Sequence, residues 1–304
     1  MTEQNRRPRE SGGPGAAEMV LPVLDSRFRG NDGAEAATLI NALRHHWPEY
    51  VIEAAGLAVF MIVAGLCVIL LEDPASPLGH AIPSPDLRRA VIGMAMGATA
   101  VAIIYSPWGR QSGAHLNPAV TLTFLRLGKV APADALFYVL AQFTGGAAGT
   151  LLMAAALRDR FTLPPISAVA TLPGRLGELV AFGAEIAIAF ILMSTVLATN
   201  ASVRLMRWTG VCAGLLVAIY IAFEAPLSGM SLNPARSVAS ALPSGVWRGI
   251  WIYLTAPPIG MLLAAELHLR LGGKTPCAKL VHFTKRRCIF HCNFAGAPAG
   301  EISP

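Results

Sequence analysis

Two short stretches of the chain have nearly the same sequence. They read Ser112-Gly-Ala-His-Leu-Asn-Pro-Ala-Val120 and Ser228-Gly-Met-Ser-Leu-Asn-Pro-Ala-Arg236, so the pattern S-G-x-x-L-N-P-A recurs at an offset of 116 residues. Each copy lies in an apolar segment that is too short to cross a membrane. A duplicated pattern of this length is an internal repeat, and the interrupted segments that carry it determine the fold.

The composition around these stretches is that of a membrane protein. Of 304 residues, 54% are hydrophobic and 14% are charged, with a mean hydropathy of +0.54, whereas a soluble domain carries about 25% charged residues. This excludes a disordered chain, a coiled coil and an ordinary soluble enzyme. The net charge of +6 fits the basic cytoplasmic loops of membrane proteins, and we predict no nucleic-acid partner.

Six apolar runs are long enough to cross the hydrocarbon layer, and backbone polar groups in lipid must be satisfied internally, so each run is predicted to be a helix. An even number of spans puts both termini on one side. Seventeen of the 24 Lys and Arg residues lie on that side and six on the other, with Arg236 set apart. We therefore expect a multi-pass protein of the cell inner membrane with cytoplasmic termini. The predicted spans are 49–71, 88–107, 132–157, 178–200, 208–226 and 246–270.

Each repeat holds three spans, with repeat one at about 49–157 and repeat two at about 177–270. Because three is odd, the second repeat enters the membrane upside down relative to the first. The short segments, 112–125 and 228–243, then dip in from opposite faces, and their tips can meet near the bilayer centre. The expected fold is all-α, with six transmembrane helices and two re-entrant half-helices in an inverted repeat.

The Asn-Pro-Ala triplets suit such tips. Asparagine is a good helix N-cap and proline is favoured at the first helical position, so Asn117 and Asn233 would cap half-helices that start at Pro118 and Pro234 and continue through Ala119 and Ala235. Helix N-termini carry partial positive charge. Two of them facing one lumen would offer donors to a passing oxygen, repel cations and hinder proton relay along a water chain.

Two such triplets in a six-span inverted repeat resemble the aquaporin family (major intrinsic proteins), of the bacterial type, over about residues 49–270. The resemblance implies that Glu53 and Glu185 each accept backbone N–H groups of a pore loop, although a glutamate turned to a subunit interface is the alternative. It also implies that Gln142 braces the loops. His115 would lie in the cytoplasmic half of the pore, or form hydrogen bonds away from the water path.

The same resemblance places a constriction of four residues. Arg236 directly follows the second triplet, Met230 and Ile221 take the loop and fifth-span positions, and Met96 takes the second-span position. This Met/Ile/Met/Arg set lacks the histidine typical of strict water channels and the two aromatics typical of glycerol channels. We predict a passive water channel, with glycerol, urea, ammonia or uncharged metalloid acids as alternative solutes. The resemblance further implies a homotetramer.

The remaining segments are tails. Residues 1–46 are predicted to be a disordered cytoplasmic tail, 47–272 the channel domain and 273–304 a basic cytoplasmic tail. The second tail contains cysteines and histidines that could bind zinc, but their spacing fits no standard finger, so a solvated or lipidated segment is favoured and neither a metal nor a cofactor is predicted. The residues concerned are Cys277, His282, Cys288, His291 and Cys292.

Two other functions compete with a channel. A secondary transporter also uses inverted repeats and broken helices, but it would need coupling carboxylates near the midplane, for which Glu53 and Glu185 are the candidates. A membrane enzyme or metal sensor would work through the tail. No nucleophile–base pair is recognisable in the spans, so no enzymatic activity is predicted. Glycine pairs such as Gly93/Gly97 are expected to mark only close helix crossings.

Overall fold

The structure is a computed structural model that describes residues 25–202, 204–282 and 288–293, with side chains from residue 37 onward. The chain divides into two units, 1–41 and 42–304. Within the described residues the first unit contributes only the beginning of the first helix. All packing and site geometry below concern the second unit.

Eight helices of the described residues form the framework, and short turns of helix connect them, among them Pro107–Ser112 and Ala225–Ser228, which precede the two loops at 113–116 and 229–232. Six helices are long and apolar enough to cross a membrane by length and composition. The other two are the short half-helices. In chain order they are α1 (Asp25–Glu72), α2 (Pro85–Tyr105), α3 (Pro118–Arg126), α4 (Pro132–Leu157), α5 (Glu178–Asn200), α6 (Thr209–Phe223), α7 (Pro234–Ser244) and α8 (Ile250–Arg270).

The predicted fold class is confirmed, and the third and fourth spans have the predicted bounds. The first helix is the main difference. It begins at Asp25 and continues through Pro48, so residues 25–46 are helical where the sequence predicted a disordered tail. The run Ala34-Glu-Ala-Ala37 consists of strong helix formers. Their helix propensity favours a helix although the segment lacks a periodic pattern of apolar residues. Residues 1–24 lie outside the described residues.

The helices pack as two interlocked repeats. α2 runs along α6, and α5 runs along α8. Each half-helix packs against the last helix of the other repeat, α3 on α8 and α7 on α4. A Cβ added to Gly97 would lie 2.4 Å from the Gly214 carbonyl oxygen, so α2 and α6 approach each other backbone to backbone, as the glycine pairs predict.

Replacing Gly97 with alanine is expected to destabilise the protein by about 3 kcal/mol, because a backbone carbonyl cannot move away as a side chain can. The measurement is the midpoint of thermal unfolding in detergent. Gly183→Ala is the matched control, since Gly183 is exposed on α5 with no atom within 4 Å of an added Cβ. An equal midpoint for the two variants would contradict the close crossing.

Candidate functional site

The two half-helices begin in the same way. Asn117 and Asn233 have extended backbone conformations and cap α3 and α7 with their side chains. The Oδ1 atom of Asn117 accepts from the Ala119 N–H at 2.9 Å, and that of Asn233 accepts from the Ala235 N–H at 3.0 Å. Both half-helices have proline in the first turn, where a missing N–H costs nothing.

The two tips meet through reciprocal hydrogen bonds. Asn117 Nδ2 donates to the carbonyl oxygen of Leu232, and Asn233 Nδ2 donates to that of Leu116, both at 2.7 Å. Each asparagine therefore donates to the residue that precedes the other one. The structure brings together all six residues of the two triplets, which are 116 positions apart in sequence.

The loops that lead into the tips have an unusual backbone. Leu116 and Leu232 have positive φ of 51° and 58°, and Ala114 and Met230 repeat this two residues earlier with 55° and 52°. A non-glycine residue in this conformation costs about 1–2 kcal/mol. Such loops persist only where surrounding groups hold them.

Two buried glutamates hold these loops. Glu53 accepts from the Ser112 hydroxyl at 2.7 Å and from the N–H groups of His115 and Leu116 at 3.0 and 2.6 Å. The second repeat matches this pattern: Glu185 accepts from the Ser228 hydroxyl at 2.9 Å and from the backbone N–H groups of the two residues that follow Met230. Both glutamates are fully buried. A carboxylate is suited to this position because it is acceptor-only and can take several donors at once.

Three further side chains complete the support. Gln142 Nε2 donates to Glu53 at 2.9 Å and to the Thr121 hydroxyl at 3.1 Å. Sequence reasoning missed the other two, Tyr138 and Tyr253, whose hydroxyls donate to the carbonyls of Ser112 and Ser228 at 2.6 Å each. The signal was present, because a tyrosine follows the first asparagine by 21 residues and the second by 20.

A cavity of about 300 Å³ passes both asparagines. It is elongated, because it is lined by residues at four-position intervals along α2, from Ile92 through Met96 and Ala100 to Ile104. Twelve residues separate the ends of this series, which corresponds to about 18 Å of helix. Ala213, as well as residues of α1 and α5, lines the cavity too.

All four residues predicted to form the constriction line this cavity: Met96, Ile221, Met230 and Arg236. Met96 and Met230 are buried. The Nη1 atom of Arg236 donates to the hydroxyl of Thr171. Thr171 lies in the connection between the repeats, where no sequence signal marked it. The result is a mostly apolar wall with one cationic edge.

His115 lines the cavity and is held on both ring nitrogens. Its Nε2 donates to the carbonyl of Ala278 at 2.9 Å, and its Nδ1 lies 3.1 Å from the Thr121 hydroxyl. The ring stacks between Phe124 and Phe290 at centroid distances of 5.2 and 5.4 Å. The ring therefore lines the cavity and is also fixed by hydrogen bonds.

The C-terminal tail differs from the sequence expectation. Residues 277–282 are buried rather than solvated, because they pack against the first pore loop. His291 is not part of the cysteine cluster: its Nδ1 lies 2.9 Å from the carbonyl oxygen of Gly128, while its neighbour Cys292 lies 3.3 Å from His282. Contacts with Cys288 and Cys292, together with burial, raise the pKa of the Cys277 thiol.

Comparison with known proteins agrees with this architecture. The major intrinsic protein family model matches residues 42–268. Aquaporin NIP1-4 of Oryza sativa subsp. japonica is 32% identical over 70% of this chain and 74% of its own length. Putative aquaporin NIP4-1 of Arabidopsis thaliana is 35% identical over 55% of this chain, which spans only 57% of that relative.

A solved structure shares the fold. The aquaglyceroporin from Plasmodium falciparum superposes with a TM-score of 0.59, at 20% identity, over 73% of this chain and 94% of that one. The chain therefore belongs to the major intrinsic protein family, whose members are channels rather than enzymes.

Proposed function

We propose that the protein is a passive channel for water, with small neutral solutes as secondary cargo. The observation that carries the proposal is the elongated cavity of about 300 Å³ that passes both half-helix tips. Donors from Asn117 and Asn233 lie beside it, together with the electropositive ends of α3 and α7. A water at this point accepts from both sides, and half-helix dipoles of this kind exclude protons and cations.

The constriction of Met96, Ile221, Met230 and Arg236 supports water over larger solutes. Three of its four side chains are apolar, and methionine is flexible enough to narrow the passage. The fourth side chain, Arg236, carries a guanidinium group that donates to a passing oxygen and repels cations. Glycerol, urea, ammonia and uncharged metalloid acids remain the alternative cargo, because this set matches neither of the familiar constriction patterns.

A coupled transporter is disfavoured by one observation. Glu53 and Glu185 each accept at least three hydrogen bonds from the pore loops. A coupling carboxylate must gain and lose its ion or proton during the cycle, whereas these two are engaged in holding strained backbone. We therefore infer passive conduction.

The setting in the membrane is inferred from charge and family. The excess of Lys and Arg on one side supports cytoplasmic termini in a cell inner membrane. The family resemblance supports a homotetramer with one pore in each subunit. The cavity that passes both asparagines, called the lane from here on, lies within one chain. Conduction therefore needs no residue from a neighbouring subunit.

Filling the lane tests the proposal. Proteoliposomes of the wild type are expected to shrink in an osmotic gradient much faster than protein-free vesicles, as followed by stopped-flow light scattering. Ala100→Trp is expected to return shrinkage to the protein-free rate, because Ala100 lines the cavity. Ala98→Trp is the matched control, since Ala98 is exposed on the same helix. Equal rates for the two variants would contradict the proposed lane.

A further inference from the structure

Four side chains of the C-terminal tail converge at one point. Their ligand atoms, from Cys277, His282, Cys288 and Cys292, all lie within 4.8 Å of one another. Cys277 Sγ lies 3.5 Å from Cys288 Sγ, and Cys292 Sγ lies 3.3 Å from His282 Nε2. All five cysteines of the chain are free thiols, so no disulfide explains the cluster.

These distances suit a tetrahedral metal ion. With Zn–S near 2.3 Å and Zn–N near 2.0–2.1 Å, neighbouring ligand atoms of a tetrahedral site are about 3.4–3.8 Å apart. The Cys277–Cys288 and Cys292–His282 pairs lie at or near this separation. Three thiols and one imidazole form a Cys₃His set, which selects zinc over hard cations such as magnesium or calcium.

The surroundings also fit a thiolate site. The backbone N–H of Lys279 lies 3.5 Å from Cys277 Sγ, and donors of this kind stabilise metal-bound thiolates. Cys277 is fully buried, and His282 is 7% exposed. Cys288 and Cys292 are partly buried, so the four residues form a packed cluster rather than a set of loose tail residues.

The same segment is attached to the residues around the cavity. Leu280 N–H donates to the carbonyl of Gly113 at 3.2 Å, and Asn200 Nδ2 donates to that of Lys279 at 2.8 Å. Phe290 stacks on His115. Leu280 also lines the cavity, so one tail side chain forms part of the lane wall.

We propose that Cys277, His282, Cys288 and Cys292 bind one zinc ion, and that this site pins the tail across the mouth of the lane and restricts conduction. The metal site stands independently, whereas the effect on conduction rests on the proposed channel function. Binding releases the thiol protons to solvent and forms three Zn–S bonds and one Zn–N bond, without any redox change. Removing the metal frees the segment that carries Leu280.

Metal analysis of the purified full-length protein tests the site. We expect about one zinc ion per chain by mass spectrometry, and intense visible absorption after cobalt exchange, as tetrahedral thiolate sites give. Cys288→Ser is expected to lose both signals. Cys67→Ser and Cys212→Ser, outside the cluster, are the matched controls and should keep them. A wild type without bound zinc, a Cys277–Cys288 disulfide in its place, or zinc retained by Cys288→Ser would overturn the proposal.

Vesicle assays test the restriction. A membrane-permeant zinc chelator is expected to raise the water permeability of the wild type several-fold and to leave Cys288→Ser unchanged at a high value. Leu280→Ala should conduct faster while keeping its zinc. This variant separates the effect of the Leu280 side chain on conduction from the binding of the metal. Zinc removal without any change in conduction would overturn the restriction. Vesicles that never conduct, despite bound zinc, would instead refute the channel function alone.

Discussion

Glu185→Gln is expected to abolish most water conduction and to destabilise the protein by about 3 kcal/mol. The carboxylate accepts from one hydroxyl and two backbone N–H groups in a fully buried position. A glutamine would turn an NH₂ group toward these donors or leave one of them unpaired. The loop from Met230 to Leu232, with positive φ at both ends, would then relax and obstruct the lane.

The measurement pairs water permeability per reconstituted chain with the thermal midpoint in detergent. Glu178→Gln is the control, because Glu178 is only partly buried at the start of the same helix, accepts from the Trp251 indole rather than from a loop, and undergoes the same chemical change. Glu53→Gln should reproduce the loss in the first repeat. Retained permeability in both buried variants would show that the loops hold their shape without the carboxylates.

Arg236→Val is expected to raise the ratio of glycerol to water permeability about tenfold, equivalent to about 1.4 kcal/mol of barrier. The change removes the cationic edge of the constriction and enlarges it. It also removes the hydrogen bond from Arg236 to the hydroxyl of Thr171, which keeps its contact with Ser237. Exclusion of small cations should weaken in the same variant, because the repelling charge is gone.

The assay compares swelling in glycerol with shrinkage in sucrose for the same vesicles. Arg248→Val is the control, since Arg248 is exposed beyond the end of α7. Thr171→Val should shift the ratio in the same direction by a smaller amount, because the arginine stays but loses one anchor. An unchanged ratio in Arg236→Val would mean that selectivity is set elsewhere in the lane.

Much of this architecture could be predicted from sequence. A span needs about 20 apolar residues whatever surrounds it, so α4 and α5 have the predicted bounds. The Asn-Pro-Ala motif predicts where the two half-helices start, because capping is a local property of Asn117 and Asn233. Each of these inferences depends on residues close together in the chain.

The features that were missed in the site and in the C-terminal tail depend on distant contacts. Thr171 meets Arg236 across 65 positions, and Tyr138 reaches Ser112 across 26. The tail is the clearest case: composition predicted a solvated segment, whereas its contacts with Gly113 and His115 bury it. No spacing rule shows that Cys292 rather than His291 faces the cluster, because this depends on how the segment turns as it packs.

The reciprocal hydrogen bonds from Asn117 to the Leu232 carbonyl and from Asn233 to the Leu116 carbonyl make the two halves of the molecule mutually dependent. Neither repeat satisfies its own hydrogen bonds, since the carbonyl that accepts from each asparagine side chain belongs to the other repeat. A lone copy of three spans could satisfy its own tip only by pairing with a second copy, inverted about a two-fold axis in the membrane plane.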